Sequence, residues 1–148
     1  MSELLHKRHN VSVLMYHIVC PVKYRRAVVT PEVEQVLKDI CLAIEQRYEI
    51  RFLEIGTDPD HVHFLVQSVP GYSPTKIVRT IKSITAREIF SRVPAVKQQL
   101  WGGEFWSDGY YIGTVGRYGS EEQIRCYVQK QGKAKVYKKV FGRQLPLF

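Results

Sequence analysis

Two histidines one residue apart raise the first question of chemistry. In Asp58-Pro59-Asp60-His61-Val62-His63-Phe64-Leu65-Val66, a turn by composition runs into an apolar strand. Side chains alternate along a strand, so His61 and His63 project to one side and Val62, Phe64 and Val66 to the other. The apolar side is fit to bury against helices. The imidazole side offers two nitrogen donors to a divalent cation, provided a third donor arrives from elsewhere. Taken alone, the stretch reads equally well as a half-buried strand in which two histidines coincide.

A second stretch shifts that balance. Ser120-Glu121-Glu122-Gln123 has the form of a capping box opening a helix. On that helix Tyr127 and Gln131 are four residues apart and share a face. Most helical tyrosines simply pack, and tyrosine is a poor nucleophile at its free pKa of about 10. A phenol nevertheless suits an enzyme that must hold a DNA end covalently and then give it back. The phosphotyrosine ester conserves the energy of the cleaved phosphodiester, so rejoining needs no nucleotide cofactor. Gln131 offers a neutral oxygen that would complete a cation's shell beside the two imidazoles.

Elements must bring these groups together. The nearly continuous apolar run from Asn10 to Cys20 reads as a central strand, with His17 inside it as a core or sheet-face histidine. Pro21 ends it, and Lys23-Tyr24-Arg25-Arg26 follows as a basic loop with one aromatic. Thr30-Pro31-Glu32 starts a helix with a capping hydroxyl, a proline in the first turn and an acid at the positive dipole end. Val33, Val36, Leu37, Ile40, Cys41 and Ile44 recur at helical spacing up to about Tyr48. Ile50 to Ile55 is a second strand, turned by Gly56 to Asp60 into the His61 strand. Ser73-Pro74 caps another helix, with Ile77, Ile81 and Ile84 as its buried stripe and Lys76, Arg79, Lys82 and Arg87 away from it. Pro94 ends that helix. Trp101 to Gly109 is an aromatic, glycine-rich structured loop whose rings close the core or stack on unpaired bases. Tyr110 to Val115 is a fourth strand, and the Tyr127 helix follows, with Gly132 as its C-cap.

The order strand, helix, strand, strand, helix, strand is the split βαβ plan, an α+β ferredoxin-like antiparallel sheet, here with an extra C-terminal helix. In that plan helices cover one sheet face. His61 and His63 then lie on the other, where the extra helix can reach them.

Bulk properties narrow the class. A chain of 148 residues is one domain with its own core, with about 141–148 as a tail. Hydrophobic residues at 45% and charged ones at 24% are ordinary globular values. No apolar run is long enough to span a bilayer and no signal peptide precedes the first strand, which implies a cytoplasmic protein. Cys20, Cys41 and Cys126 are odd in number and without zinc spacing, as in a reduced compartment. Lys plus Arg is 22 against 14 for Asp plus Glu, a net charge of +8. A small basic domain of this kind suggests a polyanionic partner, nucleic acid first. The residues that would meet its phosphates are Lys23, Arg25, Arg26, Lys76, Arg79, Lys82, Arg87, Lys130 and Lys133.

Together these residues resemble a known family. His61-Val62-His63 is similar to the signature of the HUH endonuclease superfamily. Tyr127 with Gln131 resembles the single-tyrosine motif of its small insertion-sequence transposases, the IS200-like group. Phe105-Trp106-Ser107-Asp108-Gly109-Tyr110-Tyr111, Thr114-Val115-Gly116 and Ser120-Glu121-Glu122 resemble the run that precedes that tyrosine, and Gln144-Leu145-Pro146-Leu147-Phe148 resembles the family's ending. The resemblance implies cleavage and rejoining of single-stranded DNA at transposon ends with subterminal hairpins. It implies Tyr127 as the nucleophile forming a 5′-phosphotyrosine, His61, His63 and Gln131 as ligands of magnesium or manganese, and a homodimer in which one subunit's tyrosine helix serves the other's histidines. Such an enzyme is nucleoid-associated while it acts.

Three other readings compete. A domesticated relative that nicks chromosomal repeat hairpins would keep the same four residues. A nucleotide hydrolase built on alternating histidines wants a third one where Leu65 stands. A non-catalytic nucleic-acid-binding module fits the sheet and the charge but needs neither Tyr127 nor Gln131.

Overall fold

In a computed structural model the described residues are 5–6, 11–12 and 14–115. The elements are β1 (Leu5–His6), β2 (Val11–Ser12), β3 (Leu14–Pro21), α1 (Pro31–Arg47), β4 (Ile50–Asp58), β5 (His61–Ser68), α2 (Pro74–Arg92), α3 (Pro94–Gln99) and β6 (Tyr111–Thr114). β1 and β2 form a small antiparallel pair. The other strands make a four-stranded sheet in the order β4-β5-β3-β6, antiparallel throughout. With the two long helices this is the ferredoxin-like α+β arrangement expected from the element order. The expected helix from Ser120 to Gly132, the tail and Cys126 lie outside the described residues.

Both long helices start as their sequences dictate. Thr30 Oγ1 accepts from Val33 N at 3.2 Å, and Ser73 Oγ accepts from Lys76 N at 3.0 Å. Each cap satisfies an amide that the first turn leaves without a carbonyl, and proline follows in the first turn, where no donor is missed. α1 buries Val33, Leu37, Ile40, Cys41 and Ile44, and α2 buries Ile77, Val78, Ile81, Thr85 and Ile89. These stripes pack onto Tyr16, Ile18 and Cys20 of β3 and Val62, Phe64 and Val66 of β5. Fully burying a side chain such as Phe64 contributes roughly 1.5–3 kcal/mol.

Three local expectations change. The strand after α1 does not stop at Ile55 but runs to Asp58, because Gly56, Thr57 and Asp58 pair with His63, Val62 and His61. Ladder bonds outweigh the turn-forming composition of 56–58, and Pro59-Asp60 alone make the turn. Pro94 ends α2 and also opens α3, since proline fits the first turn of a new helix. The N-terminal apolar run is divided between β2 and β3.

A bulge interrupts the pairing of β4. Phe52 pairs with Val66, but Glu54 already pairs with Leu65, so Leu53 is an extra residue. Leu53 joins Met15 and Leu65 in a small cluster separate from the helix-covered core.

Candidate active site

The sheet face away from the helices carries the imidazoles, as alternation requires. His61 and His63 project from it with ring centroids 5.0 Å apart, and both are buried. The bulge at Leu53 decides what stands opposite them. Without it Thr57 would pair with His61; with it Asp58 does. The Asp58 carboxylate consequently lies 3.0 Å from His61 Nε2. From the turn, Asp60 Oδ1 lies 2.7 Å from His61 Nδ1. Arg25 in turn holds Asp60, its Nε donating at 3.2 Å.

These contacts set the charges. Partial burial raises the Asp60 carboxyl, but the hydrogen bond from His61 and the charge of Arg25 outweigh it, leaving the group below the usual range. For Asp58 burial dominates and, helped by the charge of Asp60, pushes the carboxyl up against the opposing pull of His61 and Arg25. A proton or a cation between Asp58 and His61 Nε2 relieves this arrangement.

His63 is held by His17, the residue that the sequence leaves as either a core or a sheet-face histidine. His17 Nε2 lies 3.2 Å from His63 Nδ1. The two rings are nearly parallel at 11°, with centroids 5.4 Å apart. The nitrogen separation is shorter than the centroid separation by about a ring diameter. Both nitrogens therefore lie along the line joining the rings, the geometry of an in-plane N–H···N hydrogen bond. Burial lowers the His17 pKa to about 4, so its ring stays neutral. The ring of Tyr111 meets His17 edge-on, centroids 5.9 Å apart. Gly113, the cross-strand partner of His17, makes room for it, because a Cβ there would collide with the Tyr111 hydroxyl. The signal for His17 was present in the sequence. It alternates with Tyr16 and Ile18, which face the helices, so it had to share the other face.

The pair fits a divalent cation in its donor chemistry. Both δ nitrogens are engaged, by Asp60 and by His17, and such outer contacts orient imidazole ligands that bind through the ε nitrogen. Among the described residues no three His, Cys, Asp or Glu side chains form a cation-holding group. The third expected donor, Gln131, and the expected nucleophile, Tyr127, lie outside the described residues, as do Lys130 and Lys133.

The expected phosphate contacts divide into two kinds. Several cations have partners within the protein: Lys23 pairs with Glu104 at 3.2 Å, Arg25 with Asp60, and Lys82 Nζ donates to the Ser107 carbonyl at 2.8 Å. Lys76 lies over the Tyr72 ring at 4.5 Å, and Arg87 approaches Glu88 at 4.0 Å. Arg26 and Arg79 are exposed. Arg79 and Lys82 line a hollow of about 490 Å³ between α2 and the 103–110 loop, with Phe105, Trp106 and Tyr110 on its other side. No helix among the described residues is long and apolar enough to cross a membrane.

Comparison with known proteins places this geometry. The family model "Transposase IS200 like" matches residues 10–131, a span that includes His17, His61, His63, Tyr127 and Gln131. The ISDra2 transposase TnpA of Deinococcus radiodurans is 35% identical over 129 residues, covering 87% of this chain and 91% of that protein. The transposase for insertion sequence element IS200 of Salmonella typhimurium is 29% identical over 130 residues, covering 88% of this chain and 82% of that one. A crystal structure from Deinococcus radiodurans described as a transposase superposes with a TM-score of 0.69 at 33% identity, covering 86% of this chain and 97% of that one. A tyrosine transposase bound to a REP hairpin shares the fold at a TM-score of 0.55 and 11% identity, covering 99% of this chain and 76% of that one. Membership in a DNA-cleaving family sets aside the nucleotide-hydrolase and non-catalytic readings. A transposase-family match along most of the chain, over a ferredoxin-like sheet with an oriented imidazole pair on the face away from its two long helices, leads to one conclusion: the chain belongs to the IS200-like transposase family.

Proposed function

We propose that this transposase cleaves and rejoins single-stranded DNA at hairpin-bearing transposon ends, with the Tyr127 phenol as nucleophile. The observation that carries the reading is the imidazole pair on the sheet face away from the two long helices, each ring braced through its δ nitrogen, in a chain of this family.

The phenolic oxygen of Tyr127 attacks the scissile phosphorus and gives up its proton. A new O–P bond forms, the bond to the 3′-oxygen breaks, and that oxygen leaves as a 3′-hydroxyl once protonated. The other DNA end stays on the protein as a 5′-phosphotyrosine. Attack by a different 3′-hydroxyl reverses the exchange and restores both the phenol and a continuous strand.

His61, His63 and Gln131 would hold Mg²⁺ or Mn²⁺, which supplies Lewis-acid polarisation of the phosphate and stabilisation of the leaving oxygen. Imidazole favours manganese over magnesium, so Mn²⁺ should bind more tightly in vitro. For His63 to offer its ε nitrogen, its proton must sit on Nδ1 and be donated to His17 Nε2. A neutral His17 accepts that bond, and its burial supports this role. Asp60, anchored by Arg25, does the same for His61.

The hairpin in the solved relative supports hairpin DNA as the partner here. The exposed cations Arg26, Arg79 and Arg87, together with Lys130 and Lys133, are suited to its phosphates. The working form in this reading is a homodimer on nucleoid DNA in the cytoplasm, with Tyr127 of one subunit serving the histidines of the other.

The test is a labelled hairpin oligonucleotide from the element's own end, incubated with full-length protein and Mn²⁺. Wild type should yield a covalent protein–DNA band on denaturing gels, and Tyr127→Phe should bind the hairpin without forming it. A band of undiminished intensity from the Phe variant would overturn the assignment of the nucleophile.

A further inference from the structure

Tyr24 and Trp101 are large aromatic side chains that the fold turns outward. They are 58% and 72% exposed, against 4% for Trp106. They are not scattered, because their rings stack on each other at 28° with centroids 5.9 Å apart. Stacking within the pair leaves an outer aromatic surface facing solvent.

The backbone on both sides is held in uncommon conformations to present them. Tyr24 and Arg25 have φ of 60° and 53°, in the left-handed region that side chains other than glycine rarely enter. Gly102 and Gly103, directly after Trp101, have φ of 107° and 81°, which their lack of a side chain permits. The chain entering the left-handed turn is pinned to its neighbours. Lys23 N donates to Phe105 O at 2.8 Å, Val22 N to Asp60 O at 2.9 Å, and Ser107 N to Pro21 O at 2.9 Å. Core burial explains none of this, since the rings bury little.

The surroundings fit one kind of ligand. Lys23 lies over the Tyr24 ring at 5.5 Å, and Arg26, two residues on, is exposed. Arg25, the residue after Tyr24, contacts Asp60, which contacts His61. The aromatic pair is thus continuous with the imidazole site through one turn of chain. A flat π surface flanked by cations, next to a site for DNA strand exchange, matches a stacked base with its phosphate. Bases within a hairpin stem are already stacked on both faces and have none to offer.

We propose that Tyr24 and Trp101 form a stacking platform for an unpaired base of the single strand entering the active site. The inference rests on the single-stranded DNA reading above and adds a specific binding site to it. Stacking is indifferent to base identity, so the platform holds the strand without reading its sequence.

The protein contains two tryptophans, which makes the test internal. Trp106 is buried, with its Nε1 donating to Thr85 Oγ1 at 2.9 Å, and should not report binding. Full-length protein is titrated with an oligothymidylate of about ten nucleotides, within the usual length of single-strand sites. Binding is read by both tryptophan emission and fluorescence anisotropy of the oligomer. Wild type should lose emission on binding. Trp101→Phe should bind comparably without the loss, because the ring is kept and the reporter removed. Trp101→Ala and Tyr24→Gly should each bind about ten-fold more weakly, from the loss of one stacked base. The salt dependence of Trp101→Ala should match wild type, whereas Arg26→Ala should reduce it. Wild-type affinity for Trp101→Ala, or unchanged emission on saturation of wild type, would refute the platform while leaving the reading intact. Failure of wild type to bind any single strand would refute both.

Discussion

The two faces of the central sheet are equally buried, but only one of them carries imidazoles, beside Met15 and Leu65. Toward the helices stand Ile18, Cys20, Val62, Phe64 and Val66; away from them stand His17, His61, His63 and Gln67, and every one of these residues is at most 7% exposed. Burial therefore does not separate a core from a site. On the helix face, apolar contact is sufficient, because such side chains need no particular partner. On the other face a polar atom that loses water needs a partner in the right direction, which Asp60 gives to His61 Nδ1 and His17 to His63 Nδ1. Directionality makes that face capable of chemistry and vulnerable to small changes.

Substitutions on each face test this contrast. Phe64→Ala should cost the most stability, about 3–5 kcal/mol in chemical denaturation, by leaving a void under both helices. A loss below about 1 kcal/mol would mean that the helix face is not the main source of stability.

On the opposite face, His17→Phe keeps the ring's bulk and removes the nitrogen that meets His63. Mn²⁺ affinity by calorimetry should fall about ten-fold or more, as for lost outer-shell partners of imidazole ligands, while the fold persists. His17→Gln, which retains an acceptor, should recover part of the affinity. Equal affinity in wild type and His17→Phe would remove His17 from the site.

The smallest effect concerns thiols on the helix side. Burial pushes the Cys20 thiol up to about 12, with Lys82 pulling slightly the other way, and burial likewise raises Cys41. Because both are raised, the thiolate is scarce near neutral pH and grows as pH climbs. Iodoacetamide at about pH 8 should leave both unmodified by peptide mass spectrometry in folded protein and label them after denaturation. Rapid labelling of Cys20 in folded protein would show that the helices do not seal this face.

Much of this was legible in the chain. Apolar periodicity and the Thr30 and Ser73 caps located both long helices, and alternation put His61 and His63 opposite Phe64. These features are local: a cap needs three residues and a strand face needs two. The strand to Asp58, the restart of a helix at Pro94 and the partner of His17 were not legible, because each depends on what lies across the sheet or beyond the next turn. Tyr24 and Trp101 belong with them. They are 77 positions apart, and no pattern in either stretch announces that they stack.

The sequence by itself determined the element order, the two kinds of sheet face and the presence of an imidazole pair, since each follows from side-chain spacing within one element. Tertiary structure alone decided the neighbours of that pair. A single extra residue at Leu53 shifts the β4–β5 register so that Asp58, not Thr57, faces His61. Packing of β3 against β5 and β6 brings His17 onto His63 beneath Tyr111. Register is a property of two strands at once, so neither strand could reveal it alone.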